Sequence, residues 1–146
     1  MILYLDTSAI LKKYFKEPGS NEVIAKWKEA GGIFTSSVAY AEVMAAFHRK
    51  NREVDIGRTR FRNILNSFQE DWSGFFHVEI TDDLNRLIGR LVKVHPLRGF
   101  DAIHLASALV ISEKVGKDLW FVCFDDRLLK AAKKEGLNTF PFFRSP

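Results

Sequence analysis

Short runs of β-branched and aromatic residues alternate along the chain with longer segments in which apolar residues recur at helical spacing. This alternation is typical of an α/β domain with a mainly parallel central sheet. Strands are predicted at residues 2–6, 33–35, 76–80 and 119–124, with a weaker one at 139–142. Helices are predicted at residues 8–15, 21–30, 38–50, 56–71, 82–94, 100–115 and 127–135.

Glycine and proline mark the boundaries between these elements. Pro18 and Gly19 separate the first two helices, and Ser20 is predicted to be the N-cap of the second. Gly116 and Gly136 each follow a predicted helix and precede an extended segment, as glycines just past the C-terminus of a helix do. The sequence contains no internal repeat, low-complexity tract or interdomain linker. We therefore predict a single domain over residues 1–146.

Four carboxylates lie in apolar surroundings that should bury them. Asp6 and Asp125 follow predicted strands, and open α/β sheets bind ligands outside the carboxyl ends of their strands. Asp101 falls in a first helical turn, where the helix dipole favours an anion. Glu42 lies about one turn into its helix on a stripe of small apolar residues. Because buried charges need compensation, the four together indicate a shared divalent metal ion.

Each carboxylate also has a purely structural interpretation. Asp6 could be the N-cap of the helix that follows it, and Asp101 an ordinary acid of a first turn. Asp125, beside Asp126, could lie in a solvated turn. Glu42 could face solvent, but that orientation would expose the alanines and the valine on its stripe. Taken together, the four favour a site over these alternatives.

Other polar residues are candidates for a supporting role. Thr7 and Ser8 could position the Asp6 carboxylate, cap the helix, or do both. Arg98 directly precedes an acid-bearing helix, where it could contact phosphate or be a surface arginine. His104 could contact substrate or support an acid, and the alternative is a partly buried histidine with satisfied hydrogen bonds.

Composition and motifs narrow the chemistry. The lone Cys123 excludes an internal disulfide and a cysteine-cluster zinc site, and the four histidines show no paired spacing. Hard oxygen ligands without Cys or His select Mg²⁺ or Mn²⁺. P-loop, dinucleotide-binding and nucleophile-elbow motifs are absent from the sequence. No apolar run approaches the roughly 18 residues of a membrane span, so we expect a cytoplasmic protein without a membrane partner.

Positive charge is concentrated in one segment of a chain whose net charge is +4. Between Arg49 and Arg62 there are six positive and two negative residues. This segment could be a phosphate-binding patch, or the solvated face of a helix–turn–helix.

The four acids lie in four short segments: LDTSA (5–9), AYAE (39–42), RGFDAIHLASA (98–108) and FDDRL (124–128). These segments resemble those of the PIN-domain ribonucleases, and within them most of all the VapC toxins of toxin–antitoxin pairs. The likeness runs from residue 1 to about residue 140, and the block around Asp101 is its most specific part.

The resemblance implies a three-layer α/β/α sandwich and a metal-dependent endoribonuclease. Asp6, Glu42, Asp101 and Asp125 match the family's acidic quartet and are the implied catalytic and metal-binding residues. Glu42 could ligate the metal, or orient and deprotonate the attacking water. In one departure, Cys123 stands where the family often has Ser or Thr two residues before the fourth acid. Asp126 could replace Asp125, although the register favours the latter.

The resemblance also implies RNA as substrate, a homodimer, and an antitoxin whose tail occludes the active site. Tyr14, Phe15 and Trp27 could form the surface that docks the antitoxin, with ordinary core packing as the alternative. Besides the basic segment and Arg98, Lys12 and Lys13 are candidates for contact with the RNA backbone. Two other functions stay open: a housekeeping RNA-processing nuclease, and a non-catalytic module that binds RNA or protein.

Overall fold

The computed structural model describes residues 1–141, which contain one sheet of five parallel strands. The spatial order is β3-β2-β1-β4-β5, so β1 lies at the centre. The mainly parallel sheet predicted from the sequence is confirmed, although residue 142 of the last predicted strand lies outside the described residues. The strands are β1 (Ile2–Leu5), β2 (Gly32–Ser36), β3 (Phe76–Val78), β4 (Leu119–Val122) and β5 (Asn138–Phe140).

Helices connect the strands, and their ends fall within three residues of the predicted bounds. A short 3-10 turn, Gly116–Asp118, leads into β4. The helices are α1 (Thr7–Tyr14), α2 (Ser20–Glu29), α3 (Ala39–Glu53), α4 (Arg58–Gly74), α5 (Asp82–Val94), α6 (Gly99–Val115) and α7 (Asp126–Lys134). That residues 1–146 form a single domain stays a prediction.

The helices cover both faces of the sheet, and the pleat of β1 shows how. Leu3 and Leu5 pack with residues of α1 to α4, such as Val43. Tyr4, between them, points to the opposite face and packs with residues of α5 to α7, such as Leu105. Successive side chains of a strand point to opposite faces, so each cluster forms one side of the core. The predicted three-layer α/β/α arrangement is confirmed.

The turn between α1 and α2 corrects one prediction. Ser20 is not an N-cap but the first residue of α2, and its buried hydroxyl donates to the Phe15 carbonyl (3.1 Å) and accepts from the Glu17 amide (2.9 Å). Gly19 precedes the helix with φ of 95°, where a Cβ atom would lie 2.5 Å from the Phe124 ring. Glycine is required there by both the backbone conformation and the close approach.

The chain reverses its direction across the sheet between β1 and β4. From β1 it proceeds through β2 to β3 at one edge, and later through β4 to β5 at the other. Crevices at such switch points, outside the carboxyl ends of the strands, are the usual ligand sites of open parallel sheets. Within residues 1–141, no helix combines the length and the apolar character that crossing a membrane requires.

Candidate active site

Asp6 directly follows β1 at this switch point and is only 5% exposed. Its Oδ1 accepts hydrogen bonds from the Ser8 hydroxyl (2.7 Å) and from the Ala9 amide (2.9 Å), so Asp6 is also the N-cap of α1. Burial raises the pKa of Asp6 and the charge of Glu42 adds to this, against the opposing effects of His104 and the two hydrogen bonds. The structure therefore combines the N-cap with an inward-facing carboxylate.

Ser8 connects the ends of β1 and β4. Its hydroxyl donates to Asp6 and accepts from the Phe124 amide (2.9 Å), just beyond β4. The Asp6 amide in turn donates to the Val122 carbonyl (3.2 Å). The predicted role of Ser8 in positioning Asp6 matches these contacts, and the same hydroxyl holds the two strand ends together.

Asp125 lies beyond β4 and corrects the expectation that all four acids are buried, because it is exposed. It is the N-cap of α7, with Oδ1 accepting from the Leu128 amide (2.9 Å). The Cys123 thiol lies 3.3 Å from both the amide nitrogen and the carbonyl oxygen of Asp125. Cysteine thus occupies the position of the family's hydroxyl residue and contacts the backbone of the turn, although a thiol bonds weakly.

Glu42 projects from the first turn of α3 toward α1 and α6. Its Oε1 accepts from the Thr7 hydroxyl (2.8 Å) and lies 2.8 Å from Nε2 of His104. The Glu42 side chain keeps 26% exposure, so it is only partly buried. Burial acts to raise the pKa of Glu42, but the hydrogen bond and charge of His104, with Thr7, outweigh burial and lower it. Thr7 therefore orients Glu42 rather than Asp6.

His104 is 2% exposed and uses both ring nitrogens. Nδ1 lies 2.9 Å from the Tyr4 hydroxyl, while Nε2 faces Glu42. A carboxylate can only accept, so the contact with Glu42 assigns a proton to Nε2, and the Tyr4 hydroxyl donates to Nδ1 in the tautomer that leaves this nitrogen unprotonated. Burial raises the pKa of Tyr4 well above its usual value despite contacts with two serines, so this residue stays a hydroxyl donor.

Tyr4 is the functional candidate that sequence reasoning missed. It is 100 residues from His104 along the chain, and neither residue type nor spacing predicts such a pair. The available signal was the strand pleat, which turns Tyr4 away from Leu3 and Leu5 and toward the face that α6 covers.

Asp101 lies in the first turn of α6 and is partly buried. Burial and then the negative charge of Asp125 raise the pKa of Asp101, while the backbone and charge of Arg98, together with His104, lower it. Arg98 is exposed at the N-cap position of the same helix. Asp101 and Asp125 therefore lie close enough to repel each other, with one arginine beside them.

The acids form two electrostatically coupled pairs, Asp6 with Glu42 and Asp101 with Asp125. Across residues 1–141, no three His, Cys, Asp or Glu side chains stand close enough together to hold a metal ion. The chemistry of the donors nevertheless fits a hard divalent cation, since every donor is an oxygen and a cation would relieve the mutual repulsion.

Known proteins resemble this chain in sequence and in fold. The family model described as PIN domain matches residues 3–134. The chain belongs to the PIN-domain family. Ribonuclease VapC45 of Mycobacterium tuberculosis (strain CDC 1551 / Oshkosh) is 31% identical over 96% of this chain and 95% of its own length. Ribonuclease VapC46 of strain H37Rv is 33% identical over 92% of this chain and 93% of its own.

Solved structures share the PIN-domain fold at low sequence identity. A crystal structure of FitAcB from Neisseria gonorrhoeae superposes with a TM-score of 0.67 at 17% identity, covering 96% of both chains. VapBC2 from Rickettsia felis, bound to a DNA fragment from its promoter, gives a TM-score of 0.62 at 16% identity, covering 95% of this chain and 97% of that one. At such identities the likeness shows the fold alone.

Two lysines of the PIN domain that were candidates for RNA contact are already ion-paired. Lys12 lies 2.7 Å from Glu17, and Lys13 lies 2.6 Å from Asp71. The arginines of the basic segment are exposed, and within the described residues none of them forms an ion pair. They lie at the end of α3 and the start of α4: Arg49, Arg52, Arg58, Arg60 and Arg62.

The aromatic residues suggested as a docking surface lie in or against the core of the PIN domain. Phe15 is buried, and Tyr14 and Trp27 pack against the cluster that α1 to α4 form on the sheet. The Tyr14 hydroxyl also donates to Asp71 (2.5 Å). Core packing, the alternative interpretation, therefore describes Phe15, whereas Tyr14 and Trp27 are partly buried and a docking role for them stays a prediction.

Proposed function

We propose that this PIN-domain protein is a metal-dependent endoribonuclease that acts as the toxin of a toxin–antitoxin pair. The observation that carries the proposal is the presence of two pairs of mutually repelling acids, Asp6 with Glu42 and Asp101 with Asp125, of which Asp6 directly follows β1 and Asp125 lies just beyond the neighbouring strand β4. Relatives of near-equal length bear the name ribonuclease VapC, which supports the same reaction.

Asp6, Asp101 and Asp125 are the residues that would hold Mg²⁺ or Mn²⁺, with Glu42 as a further ligand or as the group that orients the attacking water. Binding would bring these carboxylates closer together than they stand in this structure. When bound, such a cation lowers the pKa of a water molecule and stabilises charge on the phosphate. The hydrogen bonds from Ser8 and Ala9 to Asp6 use Oδ1, and those from Thr7 and His104 to Glu42 use Oε1.

The protein's own residues prepare the site before a substrate arrives. Thr7 and His104 fix Glu42 from two different elements, so its second oxygen is held in one direction. The first turns of α1, α6 and α7 direct their positive dipole ends toward the carboxylates at their N-termini. These dipoles partly offset the repulsion between the acids.

The decisive experiment is cleavage of total and transfer RNA by purified protein with Mg²⁺, Mn²⁺ or chelator. Asp6→Asn retains an oxygen that can accept from Ser8 and Ala9, so we expect a folded protein without metal-dependent cleavage. Asp82→Asn is the matched control, because Asp82 is an exposed acid in the first turn of α5. An active Asp6→Asn or Asp101→Asn protein would overturn the site assignment.

The exposed arginines at the end of α3 and the start of α4 are the RNA-binding surface in this proposal. With a helical rise of about 1.5 Å per residue, Arg49 lies about 10 Å along α3 from Glu42. Reversing Arg58, Arg60 and Arg62 to Glu should weaken RNA binding and flatten its salt dependence. The control is reversal of three exposed lysines of α7, which changes net charge equally: Lys130, Lys133 and Lys134. Equal effects from both variants would exclude a localised surface.

The antitoxin, the homodimer and the cytoplasmic location belong to the same proposal. A chain of a toxin–antitoxin complex from Klebsiella pneumoniae shares the fold at 17% identity and a TM-score of 0.62. If a small protein is encoded beside the gene, its co-expression would test the pairing by rescue of growth. Normal growth of cells that express this protein without the partner would favour a housekeeping nuclease. Metal-independent RNA binding without cleavage would favour a non-catalytic module.

A further inference from the structure

The contact between Tyr4 and His104 lies behind the acidic site rather than on its surface. Tyr4 is completely buried, stacks on Phe121 with ring centroids 5.6 Å apart, and meets the His104 ring edge-on at 5.9 Å. Its hydroxyl lies 2.9 Å from Nδ1 of His104. A rigid strand residue thus holds the side of the imidazole that faces away from Glu42.

The contact between His104 and Glu42 connects the two helical layers. Glu42 belongs to α3, whose residues pack on one face of the sheet, and His104 belongs to α6, which packs on the other. The 2.8 Å contact between Nε2 and Oε1 joins these layers at the carboxyl end of β1. The direction of Glu42 therefore depends on the orientation of an imidazole from the opposite layer.

We propose that Tyr4 is a positioning residue: its hydroxyl bonds Nδ1 of His104 and so fixes the ring with its Nε2–H directed at the Glu42 carboxylate. His104 in this arrangement is neither an RNA contact nor a base toward substrate, because it is 2% exposed and both nitrogens are engaged. The effect on cleavage rests on the function proposed above, whereas the effect on the imidazole does not. Partners that orient site residues in this way are typically worth 10- to 100-fold in activity or metal affinity, as an order of magnitude.

Tyr4→Phe removes the hydroxyl and keeps the ring that packs on Phe121. In protein labelled with ¹⁵N-histidine, we expect the Nδ1 resonance of His104 to move toward that of a nitrogen that accepts no hydrogen bond. With RNA substrate, kcat should fall by about 10-fold while KM stays unchanged. Tyr14→Phe is the matched control, since it removes another tyrosine hydroxyl contact, the part-buried one to Asp71, and should change neither quantity.

A double-mutant cycle separates positioning from general destabilisation. Glutamine at position 104 retains a donor that can reach Glu42 but has no counterpart of Nδ1. In the His104→Gln background, Tyr4→Phe should therefore cause no further loss of kcat. An equal loss in both backgrounds would overturn the proposal, as would unchanged His104 resonances in Tyr4→Phe. If the wild-type protein cleaves no RNA, the proposed function fails, and the His104 resonances alone decide the role of Tyr4.

Discussion

Two histidine–glutamate pairs of nearly identical geometry lie in different parts of this protein. His104 and Glu42 meet at the active-site end of the sheet, and His95 and Glu135 meet where α5 and α7 end. In each pair Nε2 lies 2.8 Å from a carboxylate oxygen, and the histidine is buried. The direct contact does not distinguish them, so any difference in role must come from their surroundings.

The surroundings differ in charge. The second oxygen of Glu135 contacts Arg90 (2.7 Å), and the pKa of Glu135 is lowered first by that hydrogen bond and then by the one to His95. Glu42 has a hydroxyl in place of the arginine, and its charge helps to raise the pKa of Asp6. The negative charge of Glu135 is neutralised locally by Arg90, so the His95–Glu135 pair acts as a structural clamp. The His104–Glu42 pair leaves negative charge beside other carboxylates, where the proposed function needs it to attract a cation or orient a reacting water.

The largest expected difference concerns activity. Glu42→Gln should lower the rate of RNA cleavage by at least about 100-fold, because the variant loses the charged group to which the proposed function gives the role of ligating metal or orienting water. Glu135→Gln should leave the rate within about twofold, since the lost contacts lie at the ends of α5 and α7. Initial rates at saturating Mg²⁺ measure both variants. A comparable loss in Glu135→Gln would show that the two pairs do not differ as described.

The stability of the clamp gives the next largest effect. Glu135→Gln should lower the free energy of unfolding at pH 7 by about 1 kcal/mol, a modest value because Arg90 is half exposed. The pKa of Glu135 is lower in the folded state than its ordinary value of 4.5, so its stabilising contribution is complete above 4.5 and is lost as pH falls through the folded value. Urea unfolding of both proteins across this range should therefore converge at acid pH. A difference that grows toward acid pH would contradict the assignment.

Asp6→Asn should have the smallest effect of the three substitutions, and it should raise the stability of the protein rather than lower it. Burial raises its pKa, so the ionised carboxylate costs stability at neutral pH when no metal is bound. Asp6→Asn removes the charge and can keep both hydrogen bonds, and we expect a small rise in the midpoint of thermal unfolding in chelator. Excess Mg²⁺ should stabilise the wild-type protein more than the variant. A lower midpoint for Asp6→Asn in chelator would mean that the charge is already compensated.

Features encoded within a few residues could be predicted from the sequence. Asp6 follows an apolar run and Asp101 follows a glycine and a phenylalanine, so each could be placed at the end of a strand or the start of a helix. The alternation of strands and helices is also encoded locally, so the α/β layers could be predicted from it. The prediction for Asp125 succeeded in position and failed in burial, because its carboxylate caps α7 from the solvent side.

Features that depend on contacts between distant segments could not be predicted. The Thr7 hydroxyl had an obvious local partner in Asp6, yet it binds Glu42, which is 35 residues away. The ion pair between Lys13 and Asp71 joins residues 58 positions apart, so the charge of Lys13 is already paired within the protein. Only the packing of α1 against α3 and α4 brings these side chains together.

The position of β4 beside β1 also determines when the site can form during synthesis. Asp125 follows Asp6 by about 120 residues, so at about 5–20 residues per second it is made roughly 6–24 s later. During that interval the nascent chain lacks the Val122 carbonyl and the Phe124 amide that hold the segment around Asp6 and Ser8. In the function proposed above, the chain therefore has no complete catalytic site until β4 has emerged from the ribosome and paired with β1.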